Sequence, residues 1–375
     1  MRTLSVAISL LVVSLACVAQ ETAQPPAAAA AAPAPAPGAW SVGPVAVSGM
    51  VDSFYSVGFN HPAGNVNGLR NFDDKANQLE LKMAELTLDA TPKPVGFHID
   101  VGFGRAFDII SATEKDVLPM RFFKQAYISL KPASWKGVEV DLGRFVTSAG
   151  GEVIDTASNF SYSRSLLFVW CEPYDHFGLR VNAPITKQFT GGVQVVSGWN
   201  NIMTGATFRT VGLTGTYAFS PKVSWTNTWY GGPDENKANR GERNLCDTVV
   251  ALTPNSKTSV YLNFDYLRDR PKFTPAFEVY GVAGALKYQL TKKLAISPRL
   301  EWLNDLQGGS TGTPQRVKEY TLTGTYAILD RLSAWLEFRD DWSNQPFFTR
   351  GNSPGAWKSQ ATFLIGMVAQ IAPKR

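Results

Sequence analysis

The sequence predicts an all-β chain: an up-and-down antiparallel transmembrane β-barrel of about sixteen strands, with short periplasmic turns and long extracellular loops. Three observations predict it. Apolar residues recur with a period of two, one face of strand after strand is apolar, and the connections between strands alternate between short and long. Charged residues make up 18% of the 375, below the roughly 25% usual for soluble domains, and the composition excludes disorder for most of the chain.

Residues 1–19 read as a signal peptide. Met1-Arg2-Thr3 precedes an apolar run from Leu4 to Ala19, then polar Gln20-Glu21-Thr22, so cleavage is expected after Ala19. A lipoprotein cut before Cys17 is the rival, and Ser14 suits it poorly. Residues 20–44 form an Ala/Pro-rich periplasmic spacer that cannot bury a core. No other stretch approaches the 18 or so consecutive apolar residues of a spanning helix. The barrel is expected over residues 45–371, with 372–375 as a C-terminal tail.

Within the barrel the alternation is explicit. Val95, Phe97, Ile99, Val101 and Phe103 alternate with Gly96, His98, Asp100, Gly102 and Gly104; Val260, Leu262, Phe264 and Tyr266 with Tyr261, Asn263 and Asp265; Leu332, Ala334, Leu336 and Phe338 with Ser333, Trp335, Glu337 and Arg339. Tight connections fall at 91–94, 131–137, 184–187, 220–222, 254–257, 291–293 and 329–331, and each is followed by a longer one. A soluble sandwich also alternates, but it gives loops no reason to sort by length to opposite ends. Tyr55, Phe59, Tyr280, Tyr288, Trp302, Tyr320 and Tyr326 lie at strand ends on the apolar face, where interfacial girdles belong.

The segments GFHIDVGFG (Gly96 to Gly104), KQAYISL (Lys124 to Leu130), GRFVTSAGGEVI (Gly143 to Ile154), NFSYSRSLLF (Asn159 to Phe168) with HFGLR (His176 to Arg180), and SGWNN (Ser197 to Asn201) together resemble the β-barrel porin-2 (OmpL-like) family of bacterial outer-membrane proteins. The resemblance covers Val45 to Ile371 and implies an outer-membrane diffusion channel, with a homotrimer as a further expectation. One departure is the C-terminus: barrels of this membrane usually end on an aromatic residue, whereas here Gln370-Ile371 precede Ala372-Pro373-Lys374-Arg375.

A barrel of this size leaves room for water, so passage depends on what folds into it. The longest connection, 147–173, follows the fifth strand and carries Glu152, Asp155 and Arg164, read here as a mixed-charge constriction with acids and Arg164 facing across an eyelet. His98, Asp100, Arg180, Asp265, Lys287, Arg299, Glu301, Glu319, Glu337 and Arg339 have lumen parity; ordinary solvated lumen residues would look the same. The expected function is passive diffusion of small polar solutes and ions. The alternatives are a substrate-specific channel for sugars or anions, for which Trp335 is the one lumen-parity slide residue identified, and an adhesive barrel recognising partners through the loop 60–77.

Lys124 and Arg144 have outward parity near the outer rim. They either meet lipopolysaccharide phosphates or, in the favoured reading, Arg144 returns to the lumen through a bulge at Gly143. Cys171 and Cys246 could pair near that rim. The spacing of three Cys argues against a zinc site, and no catalytic residue, metal ligand set or cofactor motif is identified. His61, His98 and His176 have no evident nucleophile or acid partner on the lipid side, so an enzyme is not expected. Lys and Arg are scattered despite the net charge of +5, which argues against nucleic acid as a partner and leaves outer-membrane lipid and lipopolysaccharide.

Overall fold

In the computed structural model the described residues are 41–112, 120–202, 210–233, 241–271 and 274–371. The expected signal peptide, most of the spacer and the tail lie outside them. Sixteen strands form the wall: β1 (Val45–Gly58), β2 (Gln78–Ala90), β3 (Val95–Phe103), β4 (Phe123–Leu130), β5 (Glu139–Val146), β6 (Asp175–Pro184), β7 (Phe189–Val196), β8 (Thr210–Ser220), β9 (Val223–Gly232), β10 (Glu242–Asn255), β11 (Thr258–Arg270), β12 (Phe277–Gln289), β13 (Leu294–Asp305), β14 (Gln315–Leu329), β15 (Leu332–Ser343) and β16 (Ser359–Ile371). Each pairs antiparallel with the next, and β16 pairs with β1, Ile365 opposite Tyr55, so the ring closes without an edge.

The connections after even-numbered strands are short and those after odd-numbered strands longer, as the sequence predicts, except that the turn after β4 (131–138) is longer than the connection after β11 (271–276). The period of two separates two environments. On β11, Leu262 and Phe264 are 53% and 42% exposed on the outer face, while Tyr261, Asn263 and Asp265 are buried inside. Tyr55, Phe59, Tyr288 and Tyr326 are exposed outside, and Tyr280 lies edge-on to Trp302 at 5.6 Å between ring centres.

The inner face departs from a simple water-lined tube. Two apolar clusters lie inside it, one around Leu166, Leu167, Tyr261 and Val279, the other around Phe54, Phe72, Tyr162 and Trp335. The first long loop bends inward too: Arg70, Phe72 and Asp73 are buried, and the Asn71 amide donates to the Tyr174 hydroxyl. Residues 63–66 of the same loop stay exposed, so its inward half, not the whole loop, departs from the reading of 60–77 as a displayed recognition segment. Burial pushes the Asp73 carboxyl above its ordinary range although Arg70 lies 3.1 Å away.

Lys124 and Arg144 also correct the sequence reading. The β3–β4 ladder shifts register between Asp100 and Val101, so Lys124 and Gln125 are both buried, and Lys124 lies 2.7 Å from Glu85. The bulge is therefore at Lys124. Gly143 has a φ of 140°, but the ladders on both sides of it run without a shift, placing Arg144 opposite Ala126 and Phe177. Arg144 is buried all the same, donating to the Met120 and Phe123 carbonyls and pairing with Asp175. Its charge is met by protein rather than by lipid phosphate.

Candidate functional site

The chain between β5 and β6 enters the barrel. It makes a tight turn at Thr156–Ser158 and then a short helix, α1 (Leu166–Trp170), whose N-terminal cap is the Ser165 hydroxyl, accepting from the Phe168 N–H at 3.0 Å. The helix is apolar because it faces wall rather than water, packing Leu166 and Leu167 into the cluster that includes Val279 and Ala283 of β12. The wall is cut away where the loop touches it. A Cβ on Gly281 would lie 2.8 Å from Leu167 Cδ2, and one on Gly366, four strands further round the wall on β16, 2.3 Å from the Tyr162 ring. The segment thus rests on separate stretches of the wall.

Polar bonds then fix it. Wall carboxylates accept from loop amides: Glu337 from Tyr162 N–H at 2.6 Å and Ser163 N–H at 3.0 Å, Glu301 from Leu166 N–H at 2.6 Å. Arg299 is the hub. Its Nη1 lies 2.8 Å from Glu152 and 2.8 Å from the Ser163 carbonyl, and its Nε 2.9 Å from Glu301 and 3.2 Å from Glu319. Arg339 donates to the Arg164 carbonyl at 2.6 Å and pairs with Asp341 at 2.8 Å. On the opposite side, Lys124 holds Asp155 at 2.6 Å, Lys82 donates to Thr156 at 2.6 Å, and Asp52 accepts from Thr156 and Tyr162. Apart from Asp155, which is part-exposed, these groups are fully or nearly buried, so their bonds are strong and an unmatched charge among them would be costly.

The structure brings Glu152, Arg299, Glu301 and Glu319 into one cluster and Asp155, Asp100 and His98 into another around Lys124. Arg180 pairs with Asp141 at 2.8 Å over the Phe145 ring, Asp265 faces Asp247, and Lys287 stands opposite Ser259 near the short-turn end. Arg164 is a correction. Its guanidinium faces no acid across an eyelet: it donates to the carbonyls of Val153 at 2.6 Å, Tyr162 at 2.8 Å and Ile154 at 2.9 Å, bracing the loop from within. Trp335 is another, because it packs edge-on to Tyr162 at 6.2 Å instead of lining a slide. Cys171 is buried in the lumen, Cys246 is exposed on the outer face, and both are free.

Sequence reasoning missed Asp52, Lys82, Thr156, Tyr162, Glu172 and Asp247. For Asp52 and Lys82 a signal existed, since each is a charged residue inside an apolar strand run. At the end of the loop, burial and then the charge of the wall acid Asp247 push the Glu172 carboxyl well above its ordinary range.

Comparison with known protein families matches residues 44–371 to the family described as "Putative beta-barrel porin-2, OmpL-like". The chain belongs to that family. No curated protein matches. Among solved structures the chain is similar to the anion-selective porin from Comamonas acidovorans, at 11% identity and a TM-score of 0.60 over 87% of this chain and 99% of that one. It is also similar to the trimer form of OmpT of Vibrio cholerae (11%, TM-score 0.57, 87% and 98%) and to Salmonella typhi OmpF (14%, TM-score 0.54, 87% and 97%). These likenesses are of fold. Family and fold together make this β-barrel porin-2 member an outer-membrane porin, a channel of the bacterial outer membrane.

Proposed function

We propose that the chain passes small polar solutes and ions by passive diffusion, and that the segment 147–173 sets the size and frequency of passage because it is latched across the lumen. One observation carries this: the same loop bonds to β1, β2 and β4 on one side and to β11, β13 and β15 on the other. A segment held this way narrows whatever path runs past it, and loosening any clamp widens that path. Acids outnumber bases among the buried side chains at this level, which supports a preference for cations over anions. Among the described residues the arrangement shows no paired nucleophile and base: His98 is held by Asp89 and Asp100, and His176 by the Gly198 carbonyl. This supports transport rather than catalysis. A homotrimer is the assembly we propose by analogy with the trimer form of the Vibrio cholerae protein.

Planar-bilayer recording of the folded protein under a salt gradient tests the reading. Small stepwise openings with a reversal potential favouring the cation are expected. A membrane that stays silent with correctly folded protein overturns it and reopens the adhesive barrel.

A further inference from the structure

Glu172, just past α1, turns its carboxylate towards Asp247 on β10 and Asp265 on β11. One oxygen from each of the three lies within 4.8 Å of the others, and all three residues are at least nine-tenths buried. Asp247 and Asp265 are direct cross-strand partners, a placement in which like charges repel. Asn263 donates to one oxygen of each wall acid, at 2.8 and 3.2 Å. The remaining Asp247 Oδ2 and Asp265 Oδ2, and both oxygens of Glu172, are buried with no donor. The charged groups bearing on Glu172 are Asp247, Asp265 and Glu152, all acids. Elsewhere in the lumen, acids meet an Arg, a Lys or loop amides: Glu152, Glu301 and Glu319 share Arg299, Asp155 has Lys124, Asp141 has Arg180, and Glu337 has two amides.

Three carboxylates so close cannot all stay charged in a dry site without a positive partner. The span between their oxygens suits one ion. Two calcium–oxygen bonds of about 2.4 Å laid end to end cover about 4.8 Å, and calcium accepts the irregular, all-oxygen set that such a corner supplies. Magnesium asks for shorter bonds in a strict octahedron and retains its waters, and the all-carboxylate set offers zinc or copper none of their preferred nitrogen or sulfur ligands.

We propose that Glu172, Asp247 and Asp265 form a calcium site that fastens the end of the lumen loop to the wall. The ion supplies the charge that the chain itself omits. The start of the loop is tied to the same strand, through the Gly151 N–H donating to Asn263 Oδ1 at 2.7 Å, so the bound ion closes the base of the loop. Removing the ion frees its C-terminal end. Expectation from sequence spacing was of no metal ligand set; the three acids come together only because the loop folds inward.

The test uses the full chain refolded in detergent without lipopolysaccharide, stripped with EGTA and titrated with calcium chloride by calorimetry. Saturable binding of about one calcium per chain is expected, with a higher Tm in calcium than in EGTA. Asp265→Asn and Glu172→Gln should each weaken binding at least tenfold, while Asp108→Asn, at an exposed acid, should leave it unchanged. If one of the site variants does not refold, Asp247→Asn gives the same reading. No saturable binding by the unmodified protein, with equal Tm in calcium and EGTA, overturns the site in favour of shared protons. Binding that survives both substitutions overturns it as well. Because binding is read without a bilayer, its failure leaves the channel reading standing.

Discussion

Around Arg299, one loop acid and two wall acids share a single guanidinium, and a loop carbonyl takes another of its protons. Around Glu172, one loop acid and two wall acids meet equally deep, where the Asn263 amide and the Gly150 backbone N–H donate to the wall acids and no cationic side chain is paired with them among the described residues. The two corners each hold three acids, are similarly buried and share the same loop. They differ in whether the balancing charge belongs to the chain. A covalent cation makes a permanent clamp, whereas a corner left to an exchangeable ion makes a clamp that responds to its surroundings.

The largest expected effect breaks the permanent clamp. Arg299→Ala leaves Glu152, Glu301 and Glu319 buried without their partner, a loss of about 3–5 kcal/mol; unfolding in denaturant should show it, and single-channel steps should grow. Leu262→Arg supplies the contrast from the other side of the wall. A cation on the lipid face near mid-strand costs about 2–4 kcal/mol, yet steps through channels that do insert should keep their size. Arg164→Ala removes charged hydrogen bonds worth about 1.5–3 kcal/mol each before compensation by water. Channel noise should rise with the reversal potential nearly unchanged, because this guanidinium serves carbonyls inside the loop. The smallest effect reverses sign with conditions: without calcium, Asp265→Asn relieves a cross-strand repulsion of roughly 0.2–1 kcal/mol and raises Tm slightly, whereas with calcium it lowers Tm. No such reversal is expected for Arg299→Ala.

The wall was legible in the sequence because period two and loop length are local signals: the runs at Val260 and Leu332 and the tight turn at Pro254 report on a few residues each. Parity also said which way Arg299, Glu319 and Asp265 point. What parity could not say is whom they meet. Glu152 and Arg299 are 147 positions apart, and their contact depends on a loop trajectory that no short-range pattern encodes. Arg164 misled because a guanidinium in a pore loop suggests solute, whereas here carbonyls stranded by an irregular turn needed donors. Lys124 misled because one bulged residue inverts parity, and the shift is visible only in the ladder with β3. The acids at 172, 247 and 265 are unremarkable singly; topology alone makes them a site.

The latch is tested most directly by single-channel conductance of the unmodified protein against Arg299→Ala in the same bilayer and salt. The account predicts small, steady steps for the former and larger, noisier ones for the variant, whose loop has lost its hub. Equal step sizes from two correctly folded proteins would contradict it, since the loop would then be a fixed plug beside the conducting path rather than the element that sets it.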